Sequence, residues 1–235
     1  MRPGLTVRLA VVIAAFVFPL AVAGCGGGAA QPAAAQTKPE PVAAGWELST
    51  LVGEGVALSL PPGWKAFDLD KDVLQKTMQE LRQANPGIAE MLSGQTIAMA
   101  SHGVKFFAMD MNAPSLNAGF ATNLHIIHQS STALGDLDTA MSEAIAEAEQ
   151  QLGDSLDGPV LRGKITSGSG HTLGRLNYDF YMNGPGGGTL PLSVSQYITS
   201  AGGDVYIITC TTLMDYRADY ASTFEAIAGG PYFLK

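Results

Sequence analysis

The sequence predicts an α+β domain, a mainly antiparallel sheet with helices packed on it. Two observations carry this. The last third of the chain holds four long β-branched and aromatic segments, separated by glycine-rich turns. Segments with apolar residues three and four apart lie before and after them. Hairpin-like connections with few helices between strands make the sheet mainly antiparallel.

Taken in order, Trp46 to Leu51 is a short first strand. Gly55 to Leu60 alternates with period two, so Val56, Leu58 and Leu60 face the core. Pro61-Pro62-Gly63 ends it, because neither proline donates to a ladder, and Trp64 is expected to pack over the strand end. Asp70 to Ser93 reads as helix from Leu74, Met78, Leu81 and Ala84, broken at Asn85-Pro86-Gly87. Thr96 to Ala100 and Val104 to Met111 form a hairpin around His102-Gly103, and Thr122 to His128 is a further strand. Leu137, Met141, Ile145, Ala148 and Leu152 define an amphipathic helix, capped by Asp136 or Asp138 and closed by Gly153. The four long strands are Val160 to Thr166, Leu173 to Met182, Leu190 to Ser200 and Val205 to Thr212. In the second, Leu176, Tyr178, Phe180 and Met182 share one face, while Arg175, Asn177, Asp179 and Tyr181 share the other. A terminal helix carries Tyr216, Tyr220, Phe224 and Ile227, with Asp215 as its expected cap.

The first 45 residues have a different composition. Arg2 and Arg8 precede an apolar run, Leu9 to Ala23, which ends in Val22-Ala23-Gly24-Cys25. Positive region, apolar core and small-residue site, in that order, read as an export signal. The run is shorter than the roughly 20 residues a bilayer-spanning helix needs. Val22-Ala23-Gly24-Cys25 resembles the lipobox of bacterial lipoproteins. That resemblance implies cleavage between Gly24 and Cys25, a diacylglyceryl thioether on Cys25 and further acylation, palmitate among the usual chains. Gly26 to Gly45 is a Gly/Ala/Pro linker with Val42 its only large apolar residue. It buries too little to offset ordering entropy and reaches about 25 Å as a flexible chain. The expected divisions are therefore residues 1–24, a signal peptide, 25–45, a lipidated cysteine and linker, and 46–235, one domain.

Charge and cysteines narrow the partners. Taking Arg2 and Arg8 from the 13 basic residues leaves 11 against 21 acidic ones, a balance of −10. That argues against nucleic acid and against a second, electrostatic hold on anionic lipid. Lipidation of Cys25 leaves Cys210 alone in the apolar run Val205 to Cys210, where a thiol is a small core residue.

The strand ending in Leu-Pro-Pro-Gly-Trp is followed by a long helix, a hairpin and the strand Phe120 to Ile127. A helix, a β-meander and a C-terminal helix complete a layout similar to the Mog1/PsbP-like superfamily, and to the LpqN-type bacterial lipoproteins within it. The resemblance covers about residues 46 to 235. It implies an α-β-α sandwich and no catalytic residues.

No constellation assembles an enzyme site. His125 and His128, three apart on a strand, point to opposite faces and read as solvated or hydrogen-bonded side chains, not metal ligands. Gly184 to Gly188 lies between two strands, so it is a hairpin loop and not a phosphate cradle. Ser169, His171 and Asp179 are the nearest approach to a triad, but only geometry defines one. Asp68, Asp70 and Asp72 lack the glycine of a calcium loop. The expectation is no catalytic, cofactor or metal residue, and lipidation at Cys25 as the assigned site. The expected protein is an exported, membrane-anchored envelope module that binds a protein partner, without catalysis, through the Ser167 to Asp204 region. It would sit on the bacterial cell membrane or the outer membrane. Two alternatives stand beside it: a carrier or sensor of a lipid or other apolar small molecule in a methionine-rich pocket (Met78, Met91, Met99, Met109, Met111, Met141), and a hydrolase.

Overall fold

A computed structural model describes residues 41–51, 56–68, 79, 104–112, 120–130, 136–167, 170–183, 188–201, 204–230 and 232–233. The expected signal segment, Cys25, Ser169 and the strand Thr96 to Ala100 lie outside these residues. So does the helix Asp70 to Ser93, apart from Gln79, which is helical.

Two antiparallel sheets are present among the described residues. The smaller joins β1 (Glu47–Leu51), β2 (Val56–Leu60) and β10 (Tyr232–Phe233) in the order β1-β2-β10. The larger contains β3 (Trp64–Asp68), β4 (Val104–Asp110), β5 (Asn123–Ser130), β6 (Leu161–Thr166), β7 (Thr172–Asn183), β8 (Thr189–Ala201) and β9 (Asp204–Leu213). Its order is β3-β4-β5-β9-β8-β7-β6, so the last four strands run as a meander that docks through β9 onto β5. The two long helices among the described residues are α1 (Leu137–Leu152) and α2 (Arg217–Gly229).

Pro61 to Trp64 is a tight turn. The Trp64 N–H donates to the Pro61 carbonyl at 3.2 Å, and Gly63 takes φ +86°, the left-handed value that the third position of a type II turn requires. Trp64 therefore opens β3 in the larger sheet, and its side chain packs, partly buried, against the cluster that includes Leu60 at the end of β2. Its ring meets Phe224 edge-on at 6.5 Å.

One face of the larger sheet packs under α1. Leu176, Ile198 and Ile207 meet Met141 and Ala144, and next to them Phe120, Phe180 and Leu192 meet Ala148. Asp136 caps α1, its carboxylate accepting from the Thr139 N–H at 2.8 Å. The approach of α1 to the sheet is close. A Cβ on Gly174 would stand 2.6 Å from Met141 Sδ, so the absent side chain is what lets the helix settle there.

The opposite face is covered by the smaller sheet and α2. Val56, Leu58, Leu124, Ile126, Ile208, Cys210, Phe224 and Ile227 form one buried cluster. Cys210 is a free thiol at the centre of that cluster, and burial pushes its pKa up. All of β2 is buried, including Ser59, whose hydroxyl accepts from the Val42 N–H at 3.1 Å. The α2 start differs from expectation. A 3-10 turn, Met214–Tyr216, precedes the helix and places Tyr216 at the cap position, so Asp215 is exposed inside the turn and caps nothing.

Candidate functional site

The two faces of β7 set up the site. Leu176, Tyr178 and Phe180 are buried toward α1, and Arg175, Asn177, Asp179 and Tyr181 point the other way, as the alternation predicts. The register extends that second row onto β8, where Tyr197, Ser195 and Ser193 stand opposite Arg175, Asn177 and Asp179. α2 crosses this face but does not fill the space above β7. A cleft of about 520 Å³ remains, with β7 and β8 as floor, α2 as one wall and the Asp157, Pro159 and Leu161 segment as the other.

Ion pairs bridge the cleft. Arg175 of β7 pairs with Glu225 of α2, and Arg217 of α2 pairs with Asp179 of β7. Between them, the Ser195 hydroxyl donates to Asn177 Oδ1 at 2.9 Å. At the rim, the Tyr181 hydroxyl donates to Asp157 at 3.1 Å, and that hydrogen bond raises the phenol pKa. Burial raises the pKa of Tyr197 in the floor. Besides Arg217 and Glu225, α2 presents the small side chains Ala218 and Ala221 to the opening. On its other flank α2 is tied by the Tyr220 hydroxyl, which donates to the buried carboxylate of Asp110.

Two large apolar side chains are exposed beside this cleft, Leu161 at 62% and Tyr181 at 44%. The remaining exposed one among the described residues is Val42, in the segment that enters the domain. The expected contact region Ser167 to Asp204 supplies the floor, but the walls come from outside it, from β6 and α2.

Other sequence candidates separate. His171 is exposed at the start of β7 and Asp179 lies eight residues further along, about 25 Å in an extended strand, so these two do not form a catalytic pair. The two β5 histidines do face opposite ways. His128 stacks on Tyr206 at 4.7 Å and lies 3.4 Å from Asp204. His125 differs from the expected solvated or hydrogen-bonded side chain. It is buried, neither ring nitrogen has a hydrogen-bond partner, and burial lowers its pKa to about 4. Its neighbours across the ladder are Phe107 on β4, which has no polar side-chain atom, and Thr209 on β9, which accepts from Gln196. Among the described residues no three His, Cys, Asp or Glu side chains converge on a point where a metal could sit. Of the expected methionine pocket, Met109 and Met141 are packed in the core and Met111 lies partly buried against it; Met78, Met91 and Met99 lie outside the described residues. No helix among the described residues is long and apolar enough to cross a membrane.

No protein-family model and no curated protein sequence matches the chain. Solved structures do. The chain is similar to cyanobacterial PsbP (CyanoP) from Synechocystis sp. PCC 6803, with 14% identity and a TM-score of 0.50 over 90% of this chain and 98% of that one. It also aligns with the Ran-binding protein Mog1p of Saccharomyces cerevisiae, at 8% identity and a TM-score of 0.44 over 80% and 95% of the two chains. LpqN of Mycobacterium tuberculosis, described as involved in cell envelope biogenesis, aligns at 11% identity and 0.41 over 81% and 91%. Identities this low speak to fold and leave activity to the site itself. With its long antiparallel sheet and two helices, the described part of the chain is a domain of the Mog1/PsbP-like fold.

Proposed function

We propose that this chain is an exported, lipid-anchored protein of the bacterial envelope whose domain works by binding a protein partner, without turnover. The observation that carries the binding reading is the rim of the cleft. Leu161 stands exposed in its lining and Tyr181, bonded to Asp157 of the same wall, stands exposed beside it, among arginines and acids. Aromatic and arginine side chains beside an exposed aliphatic one are the composition of an interface centre. They sit on paired strands, which hold them in place before any partner arrives. The carrier alternative is less favoured, because ionic and hydroxyl side chains wall the cleft and would be desolvated by an alkyl chain. The hydrolase alternative loses its nearest triad to the separation of His171 and Asp179.

The anchoring part of the proposal rests on Val22-Ala23-Gly24-Cys25 and the apolar run before it. Two acyl chains are needed for stable attachment. Intact mass of the membrane-extracted protein should show a chain beginning at Cys25 with added lipid, and Cys25→Ser should leave the precursor unprocessed. A mature chain without lipid mass would refute the anchor.

The binding part is tested by photo-crosslinking the full chain in its native membrane. A crosslinker at position 161 or 181 should capture one discrete partner, and a crosslinker at Glu149, exposed on the outer side of α1, should not. Leu161→Asp should weaken that capture by about tenfold or more, as loss of an interface anchor does. Equal capture from all three positions would overturn the assignment of this rim.

A further inference from the structure

The floor of the cleft carries hydroxyl and amide groups, from Ser193, Ser195 and Asn177. Ser193 on β8 is 4% exposed and lines the cleft, standing opposite Asp179 across the ladder. Its ladder neighbours carry bonds of their own, Asp179 with Arg217 and Thr212 with Thr122. A hydroxyl in the floor of an opening can both donate to a ligand and accept from it. Beside it, Ser195 occupies Asn177 Oδ1, which leaves the amide N–H group of Asn177 to donate.

We propose that this cleft binds a neutral saccharide, with Ser193 and Asn177 as the hydrogen-bonding floor. Its volume of about 520 Å³ falls in the range of small-molecule sites. Charge selects against an anion. Three carboxylates, Asp157, Asp179 and Glu225, face two guanidiniums, and both guanidiniums are already paired. A phosphate or carboxylate would have to break an ion pair and would meet the remaining acid. A sugar hydroxyl donates and accepts at once, so it satisfies Ser193, the Asn177 amide and the outer carboxylate oxygens without displacing anything. Tyr181 and Leu161 at the mouth offer apolar surface for the C–H face of a pyranose ring. Topology weighs against an extended peptide as occupant. β7 lies between β6 and β8, and β8 between β7 and β9, so the floor has no free strand edge for main-chain pairing.

The inference goes beyond the partner contact and does not rest on it, because it is read on the isolated protein. The full chain, in micelles of a detergent without a sugar headgroup, is titrated calorimetrically with maltotetraose, cellotetraose and N-acetylchitotetraose. At least one should bind. Ser193→Ala should weaken that binding by about tenfold, the loss of one well-made hydrogen bond. Ala221→Trp, at an exposed helix position that faces the opening, should abolish it while the protein stays folded by circular dichroism. Glucose 6-phosphate should compete poorly. Failure of all three saccharides to bind overturns the proposal, as does binding that survives Ala221→Trp. If no saccharide binds and Ala221→Trp abolishes crosslinking to the partner, the cleft belongs to the partner and the saccharide site is refuted.

Discussion

The same face of the larger sheet is built in two ways. Over β4, β5 and β9 its outward side chains are Phe106, Leu124, Ile126, Ile208 and Cys210, and the smaller sheet and α2 close over them. Over β7 and β8 the corresponding row is Arg175, Asn177, Asp179, Ser193 and Ser195, and the face stays open as a cleft. Backbone and alternation are the same in both halves. Only the side chains at one parity of position differ, and that decides whether a layer is recruited or a solvent-facing site remains. The closed half supplies cohesion through apolar burial. The open half is held by ion pairs that contribute little stability and leave its surface available for recognition.

The sharpest way to break this comparison is to remove a side chain from the closed half. Phe224→Ala should cost about 3–5 kcal/mol in chemical denaturation, since Phe224 is buried among Trp64, Tyr220 and Ile227. A loss below about 1 kcal/mol would mean that α2 is held by its polar bridges after all.

The next effect tests a buried polar group on the α1 side. His125 has a folded-state pKa near 4 because it is buried. The unfolded chain, with an ordinary histidine pKa near 6.5, takes up a proton first as pH falls. Stability is therefore complete above that value and declines as pH drops from about 6.5 to 4, by about 2 kcal/mol at pH 5. His125→Leu should remove this part of the slope when denaturation is compared at pH 7 and pH 5. It should not destabilise the protein at pH 7, because it replaces an unpaired buried polar group. An unchanged slope would show that His125 is solvated.

The smallest effect belongs to the open half. Arg217→Ala should change stability by less than about 1 kcal/mol, since its side chain is mostly exposed, and added salt should erase the difference. A larger, salt-resistant loss would show that the cleft is structural.

Much of this was legible from local pattern. The four meander strands, a cap at Asp136 or its neighbour Asp138, the two faces of β7 and the burial of Cys210 all follow from periodicity or from a single residue's chemistry. Other features depend on distant partners. β3 is a five-residue strand whose place is set by β4, and β10 is two residues paired to β2. Trp64 and Phe67 carry no alternation long enough to announce a strand. The 3-10 turn that displaced Asp215 from the cap is an adjustment of about one turn, which propensity does not resolve. The cleft was half visible. Its polar row on β7 could be read directly, but Arg217 and Glu225 reach it from α2, and their pairing with Asp179 and Arg175 is a product of the fold. His125 read as a solvated or hydrogen-bonded histidine because its burial comes from neighbouring strands.

The strand order also bears on how the chain assembles. β6 to β9 are joined by short turns and can zip together from local contacts, each hairpin closing a small loop at little entropic cost. β5 meets β9 only across a long span, with Asn123 opposite Thr211 and Ser130 opposite Asp204. That ladder is the non-local closure that slows folding. The meander that carries the cleft is thus the natural nucleus, and substitutions in β7 and β8 should slow folding, while those in β3 and β4 should chiefly speed unfolding.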